Sequence, residues 1–201
     1  MDRAMNRETV YGGLSNTAWG YFFLHIDFNL GVNQTSVNVL PRFVGWLLLL
    51  SAIGKLAGER RDLPLLRPLG RLLAAWTGAD WLLNWAGQTI DGHILFLDLL
   101  VSAAAIYFHF QFLSDMAALA ERYEPPEGTL AARLRRRRTV YVLVITLVNT
   151  LHYLPVSGES ELRNYAALGV MLVAVLAALF VMTGLFALRK LFRDQPEEPQ
   201  A

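Results

Sequence analysis

From Tyr165 to Leu188 the chain reads YAALGVMLVAVLAALFVMTGLFAL, without one charged side chain. Wound as a helix, such a run is about 36 Å long, enough to cross the roughly 30 Å hydrocarbon core of a bilayer. A helix that is apolar on nearly every face has to be surrounded by lipid or by a large core, and this segment therefore constrains the whole chain. Composition agrees, since 54% of the 201 residues are hydrophobic and mean hydropathy is +0.35. The start of the chain, MDRAMNRETVYGG, has no basic stretch running into a short apolar core with a small-residue cleavage site. The first apolar segment is accordingly expected to be retained rather than removed.

Five further segments have span length but interleave Gly, Ser, Thr, Asn and charged residues, as helices buried in a membrane bundle do. The expected spans are 10–28, 39–57, 72–90, 94–113, 139–156 and 165–188. The fold class is thus all-α, a polytopic membrane protein of six transmembrane helices. It forms a single domain over 1–190, followed by a disordered cytoplasmic tail over 191–201. Backbone groups in lipid must be paired within their own segment, which makes helices the form for spans of this kind.

Basic residues set the direction. Arg3 and Arg7 precede the first span, and Lys55, Arg60, Arg61, Arg67 and Arg71 fall around the second connection. Arg122, Arg133 and Arg135 to Arg138 fall around the fourth, and Arg189, Lys190 and Arg193 follow the last. Sixteen of the 18 basic residues thus share one side, which the positive-inside rule makes cytoplasmic, with both termini. The stretch QFLSDMAALAERYEPPEG is expected to continue the fourth span as a helix and to stop at Pro125-Pro126. RLRRRR reads first as a topology anchor and second as a contact for anionic headgroups.

In this arrangement the polar residues of the spans concentrate towards the outer side. Thr77, Asp80, Asn84 and Gln88 recur at helical spacing on the third span, and Asp98, Ser102, Ala105 and His109 do so on the fourth. Thr146, Asn149, His152 and Tyr153 share a face on the fifth, and Asn16, Gly20 and Asp27 share one on the first. A carboxylate at a helix centre costs roughly 2.5–3.5 kcal/mol on insertion scales, so Asp80 and Asp98 are expected to face a cavity, a partner or water. Arg42 is the basic side chain placed to reach them. The candidate cavity residues are Asp27, Arg42, Asp80, Asn84, Asp98, Asn149 and His152. The competing reading of isolated Ser, Thr and Asn is interhelical hydrogen bonding at about 0.6 kcal/mol each.

Catalytic signatures are missing: no zinc-protease helix pair, no Gly-x-Ser-x-Gly elbow and no phosphate-binding loop with its Lys. The absence of cysteine excludes disulfides, thiolate catalysis and Cys-based metal sites. His25, Asp91, His93 and His152 have the ligand types of a zinc or manganese site, but their spacing matches no ligand pattern, and neither a metal nor a cofactor is implied. Intramembrane Asp and His can still serve as acid and base, which leaves an intramembrane enzyme as an alternative.

The stretch YFFLHIDFNLG, followed by NVLPRFVGWLLLLSAIGKL, resembles a group of small uncharacterised membrane proteins of Gram-positive, Clostridia-like bacteria. In that group an F-D-x-N-x-G end of the first span precedes an N/D-x-L-P-x-F-x-G start of the second. The matching residues are Phe22, Asp27, Asn29, Gly31, Asn38, Leu40, Pro41, Phe43 and Gly45. Ile26, rather than Phe, directly precedes Asp27, and Arg42 stands where the group usually has an acidic residue. The resemblance implies a multi-pass protein of a bacterial cytoplasmic membrane and an ordered first hairpin, and it implies no activity.

The leading expectation is a protein that binds or translocates a small solute or ion through an outward-facing polar cavity. The second is a non-catalytic partner or assembly factor, docking another membrane protein or a further copy of itself through its basic loops and the face Phe112, Leu113, Met116, Leu119 and Tyr123. The bilayer is the expected partner in either case, and nucleic acid is not. Topology is directly testable in a chain without cysteine. A Gly128→Cys variant should resist an impermeant thiol reagent in intact cells and react after permeabilisation.

Overall fold

A computed structural model of the chain describes residues 7–25, 29–32, 35–38, 41–88, 90, 94–153 and 161–193. Six long helices dominate: α1 (Arg7–His25), α2 (Arg42–Leu56), α3 (Arg67–Trp85), α4 (Leu95–Tyr123), α5 (Leu130–Tyr153) and α6 (Glu161–Arg193). Between α1 and α2 a two-stranded antiparallel ribbon adds β1 (Asn29–Val32) and β2 (Thr35–Asn38), with Asn29 opposite Asn38 and Val32 opposite Thr35. Among the described residues this ribbon departs from the all-α expectation.

Local chemistry explains the helix limits. Pro41 directly precedes α2, and Pro68 sits in the first turn of α3, where its missing N–H costs nothing. α3 stops at Gly87, whose φ of 72° suits glycine, while Gly87 N–H and Gln88 N–H bond back to the carbonyls of Asn84 and Leu83. α4 runs through to Tyr123 and ends before Pro125, as its sequence predicts. The Glu124 carboxylate then accepts the N–H groups of Leu130 (2.7 Å) and Ala131 (3.2 Å), satisfying the first donors of α5. α6 continues to Arg193, so the expected tail is helical at its beginning, and 194–201 lie outside the described residues.

Each helix packs against its neighbours in sequence, and α6 closes on α1 to complete a ring. The α1–α2 pair is the tightest joint. A Cβ on Gly45 would stand 2.8 Å from the Gly20 carbonyl oxygen and 2.7 Å from Leu24 Cγ, and one on Gly13 would stand 2.8 Å from Leu56 Cγ. Small residues are what permit backbones to approach this closely. Ring closure is marked by Arg189, which donates to the Tyr11 hydroxyl at 2.6 Å and lies over its ring.

The six helices are not level. Tyr21, four residues from the end of α1, meets His109 and Phe112, near the middle of α4, and Tyr141, near the middle of α5. The first half of α4 and the second half of α5 therefore rise beyond α1 by about 12–15 Å, at 1.5 Å per residue. Apolar burial follows the same division. Among the described residues, the buried apolar side chains of α4 lie between Phe108 and Ala120, those of α5 between Ala131 and Tyr141, and those of α6 between Ala177 and Phe192. This lower half also holds the charges. Arg60 donates to the buried carboxylate of Asp115 at 3.1 Å, Arg135 pairs with Glu121, and Tyr123 donates to Glu59 at 2.5 Å.

Among the described residues two helical segments, Leu95–Tyr123 and Leu168–Arg193, are long and apolar enough to cross a membrane by length and composition. The face proposed for docking a partner is internal instead. Phe112, Leu113, Met116 and Leu119 are buried in the ring, and Tyr123 packs edge-on against Phe192. RLRRRR likewise reaches inward as well as out. Arg138 donates to Ser114 of α4 and covers the Phe110 ring, while Arg137 donates to Thr183 and to the Phe180 carbonyl of α6. Because the joint between α1 and α2 is backbone against backbone, Gly45→Ala should lower unfolding stability in detergent by about 1–3 kcal/mol. Gly58→Ala, where an added Cβ meets nothing within 4 Å, should leave stability unchanged in the same measurement.

Candidate functional site: a histidine–tyrosine cluster inside the ring

Where α1 ends against α4 and α5, four polar rings meet. His25 and Tyr21 are one helical turn apart on α1, and their rings stack with an interplanar angle of 4°. His25 Nδ1 lies 2.8 Å from the Tyr21 carbonyl oxygen, which can only accept, so this nitrogen carries the hydrogen. In the neutral ring Nε2 is then an acceptor, and the Tyr141 hydroxyl donates to it at 2.5 Å. The Tyr21 hydroxyl and His109 Nδ1 share a second hydrogen bond of 3.0 Å. Trp46 of α2 lies beside the His109 ring at 5.3 Å, and Phe108 and Phe112 pack around the group. Tyr21, His109 and Tyr141 are buried and His25 is partly so.

Both nitrogens of His25 are engaged, and the described residues contain no group of three or more His, Cys, Asp or Glu placed to hold a metal ion. The cluster is instead two tyrosine–histidine pairs, Tyr21–His109 and His25–Tyr141, linked through the bond of His25 to the Tyr21 carbonyl. Its chemistry is that of proton and hydrogen-bond exchange. Moving the His25 proton from Nδ1 to Nε2 would require the Tyr141 hydroxyl to turn and accept. The imidazoles and phenols here are separated by 88 and 116 positions in sequence, and only the ring closes those distances.

The expected cavity residues fall elsewhere. Asp98 is 5% exposed in the first turn of α4, eleven residues or about 16 Å along the helix from His109. Asp80 accepts the Ile90 N–H at 3.1 Å, which ties the chain after α3 back onto the helix. Asn84 is exposed, and Asn149 donates to the Ile145 carbonyl of its own helix at 2.9 Å. Arg42 is exposed at the start of α2. Asp27, Asp91, His93 and the side chain of His152 lie outside the described residues. His25, expected near the outer end of the first span, is at the height of His109 and Tyr141, because α1 stops halfway along its neighbours. Tyr21 and Tyr141 carried no signal beyond the one-turn spacing of Tyr21 from His25, since a lone Tyr beside an arginine run reads as an interfacial residue.

No protein-family model, no curated protein and no solved structure matches this chain. The geometry itself is what bears on function. If the His25–Tyr141 bond is a buried, satisfied pair, Tyr141→Phe should cost about 1–3 kcal/mol of stability by leaving Nε2 without its donor. His25→Leu on top of it should then cost less than in the parent chain, as a double-mutant cycle of unfolding midpoints would read.

Proposed function

We propose that this is a polytopic membrane protein with both termini cytoplasmic, sited in a bacterial cytoplasmic membrane, that binds or translocates a small solute or ion through an outward-facing polar interior. One observation carries the reading. Along the first thirteen residues of α4, from Leu95 to Tyr107, Asp98 is the single buried residue, while Phe96 beside it is 77% exposed. A soluble helix does the opposite. In a bilayer the pattern is the favourable one, with apolar groups in lipid and the carboxylate held away from it.

The layout of packing supports the direction of access. Below Tyr21 and His109 the ring is filled by side chains, while above them, among the described residues, α4, α5 and α6 hold few buried ones. In this reading the interior opens on its outer side and ends at the histidine–tyrosine cluster. Ser102 and Tyr153 share a hydrogen bond of 3.2 Å across α4 and α5 in that upper half, so polar groups face one another there. The cluster serves in this reading as the floor of the cavity and as its store of exchangeable protons.

Native mass spectrometry of the purified protein should show a bound small molecule or ion, and Asp98→Asn should weaken its retention at least about tenfold, the scale of one charge-assisted hydrogen bond. Helix content should be unchanged. A parent protein that carries nothing, and that leaves reconstituted vesicles no more permeable to small ions and solutes than protein-free ones, would refute the reading.

A further inference from the structure

We infer that the groove between α5 and α6, at its arginine-bearing end, is a binding site for one anionic phospholipid. Its phosphate sits among Arg133, Arg137 and Lys190, and its acyl chains run along Val140, Phe180 and Leu176. The inference rests on the membrane placement proposed above and not on the polar interior.

The charged end of the groove is a recess rather than a flat surface. Where the α4–α5 connection meets the end of α6, a cleft of about 410 Å³ has Thr129, Leu130 and Arg133 on one wall and Ala187, Lys190 and Leu191 on the other. Glu124 is the one carboxylate among the described residues of its lining. That carboxylate is turned onto the N–H groups of Leu130 and Ala131, where the positive end of α5 offsets its charge. Arg133 and Lys190 are exposed, and among the described residues neither forms an ion pair.

Arg137 extends this charge by one turn of α5. Gly184 lets its side chain lie against α6, since a Cβ there would stand 2.9 Å from Arg137 Nη1. Nη1 donates to Thr183 and to the Phe180 carbonyl, at 2.9 Å each. Among the described residues Nε and Nη2 make no hydrogen bond, and these two form the edge with which a guanidinium grips a phosphate through parallel bonds. The partners of Arg137 are thus neutral, and its neighbour one turn away is another cation. Like charges at that spacing repel, and an anion held between them removes the repulsion.

The rest of RLRRRR is engaged differently. Arg135 pairs with Glu121, and Arg138 is given to Ser114 and the Phe110 ring. Beyond Arg137 the groove turns apolar. Phe180, whose ring lies 4.8 Å from the guanidinium, is 61% exposed, and Leu176 and Val140, a turn further out, are exposed as well. Cations at one end and uncovered apolar side chains at the other match the two parts of a phospholipid. A soluble phosphate would use only the first. Basic pockets between helices on the cytoplasmic side are where anionic headgroups are recognised.

Native mass spectrometry of the full chain in detergent, with dioleoyl-phosphatidylglycerol added, tests the site, and mass tells a retained lipid from a small solute. One lipid should stay bound, and dioleoyl-phosphatidylcholine should not replace it. Arg133→Gln with Lys190→Gln should weaken retention about thirtyfold, at about 1 kcal/mol for each basic residue. Ala187→Trp, which fills the cleft without changing charge, should also abolish most of it. The charge-matched pair Arg61→Gln with Arg136→Gln, exposed and outside the cleft, should stay within about threefold of the parent. Equal losses in the two charge-removing pairs, equal retention of phosphatidylcholine, or displacement by inorganic phosphate at the same concentration would each overturn the lipid site. So would a tenfold rise in retention when Glu197→Gln and Glu198→Gln remove charge after Arg193, since that acidic stretch would then be the occupant. Release of the protein from membranes by alkaline carbonate without detergent would overturn the membrane placement and the lipid site together.

Discussion

The contact of Gly20 with Gly45 is the constraint on which the arrangement depends. With backbones touching there, α1 and α2 pack at close range, and the ring closes with α6 against α1. Closure at that width brings the end of α1 to Tyr141 and His109, which is what assembles the cluster. Larger side chains at 20 or 45 would widen the ring and separate the histidines from their hydroxyls. The energy of the cluster is small beside the packing, at roughly 1 kcal/mol per hydrogen bond, but its position is set by the packing.

Two kinds of stabilisation share the same helices. The lower half is organised like a water-soluble bundle, with Phe108, Phe112, Met116, Leu185 and Leu188 buried around α1 and polar links such as Arg60–Asp115 at the margin. Among the described residues the upper half has no comparable apolar core and turns Leu147, Leu172 and Phe96 outward. In a bilayer, where no hydrophobic drive brings helices together, association in that half would fall to polar contacts such as Ser102–Tyr153 and to close packing. Arg137 and Arg138 lie at the junction, spreading to α6 and α4 from adjacent positions of α5.

Much of this was legible in the amino-acid order. All six helices coincide with apolar segments, and the continuation of α4 to Tyr123 followed from its pattern and from Pro125. Asp98 was identified by the cost of a carboxylate in an apolar run, and it is buried. Relative height was not legible, because hydropathy describes each segment alone and is blind to stagger between segments. For the same reason the partners of His25 were hidden, and so was the Ile90 N–H that Asp80 accepts. The face of Phe112, Met116 and Leu119 was taken for a docking surface because a cytoplasmic extension of a span has no obvious cover. The cover is supplied by the low position of α1 and α2.

The joint between Tyr11 and Arg189 spans 178 positions of the chain. A ribosome delivers the first of these residues long before the last, so the earliest helices wait with one flank uncovered until α6 has emerged. During synthesis the incomplete ring leaves Tyr11 without Arg189 and Trp19 without Phe186. Maturation of this protein is therefore an end-to-end event: its beginning acquires a stable environment only when its end has been made, and a messenger cut short before α6 would yield an open arc for quality control to remove.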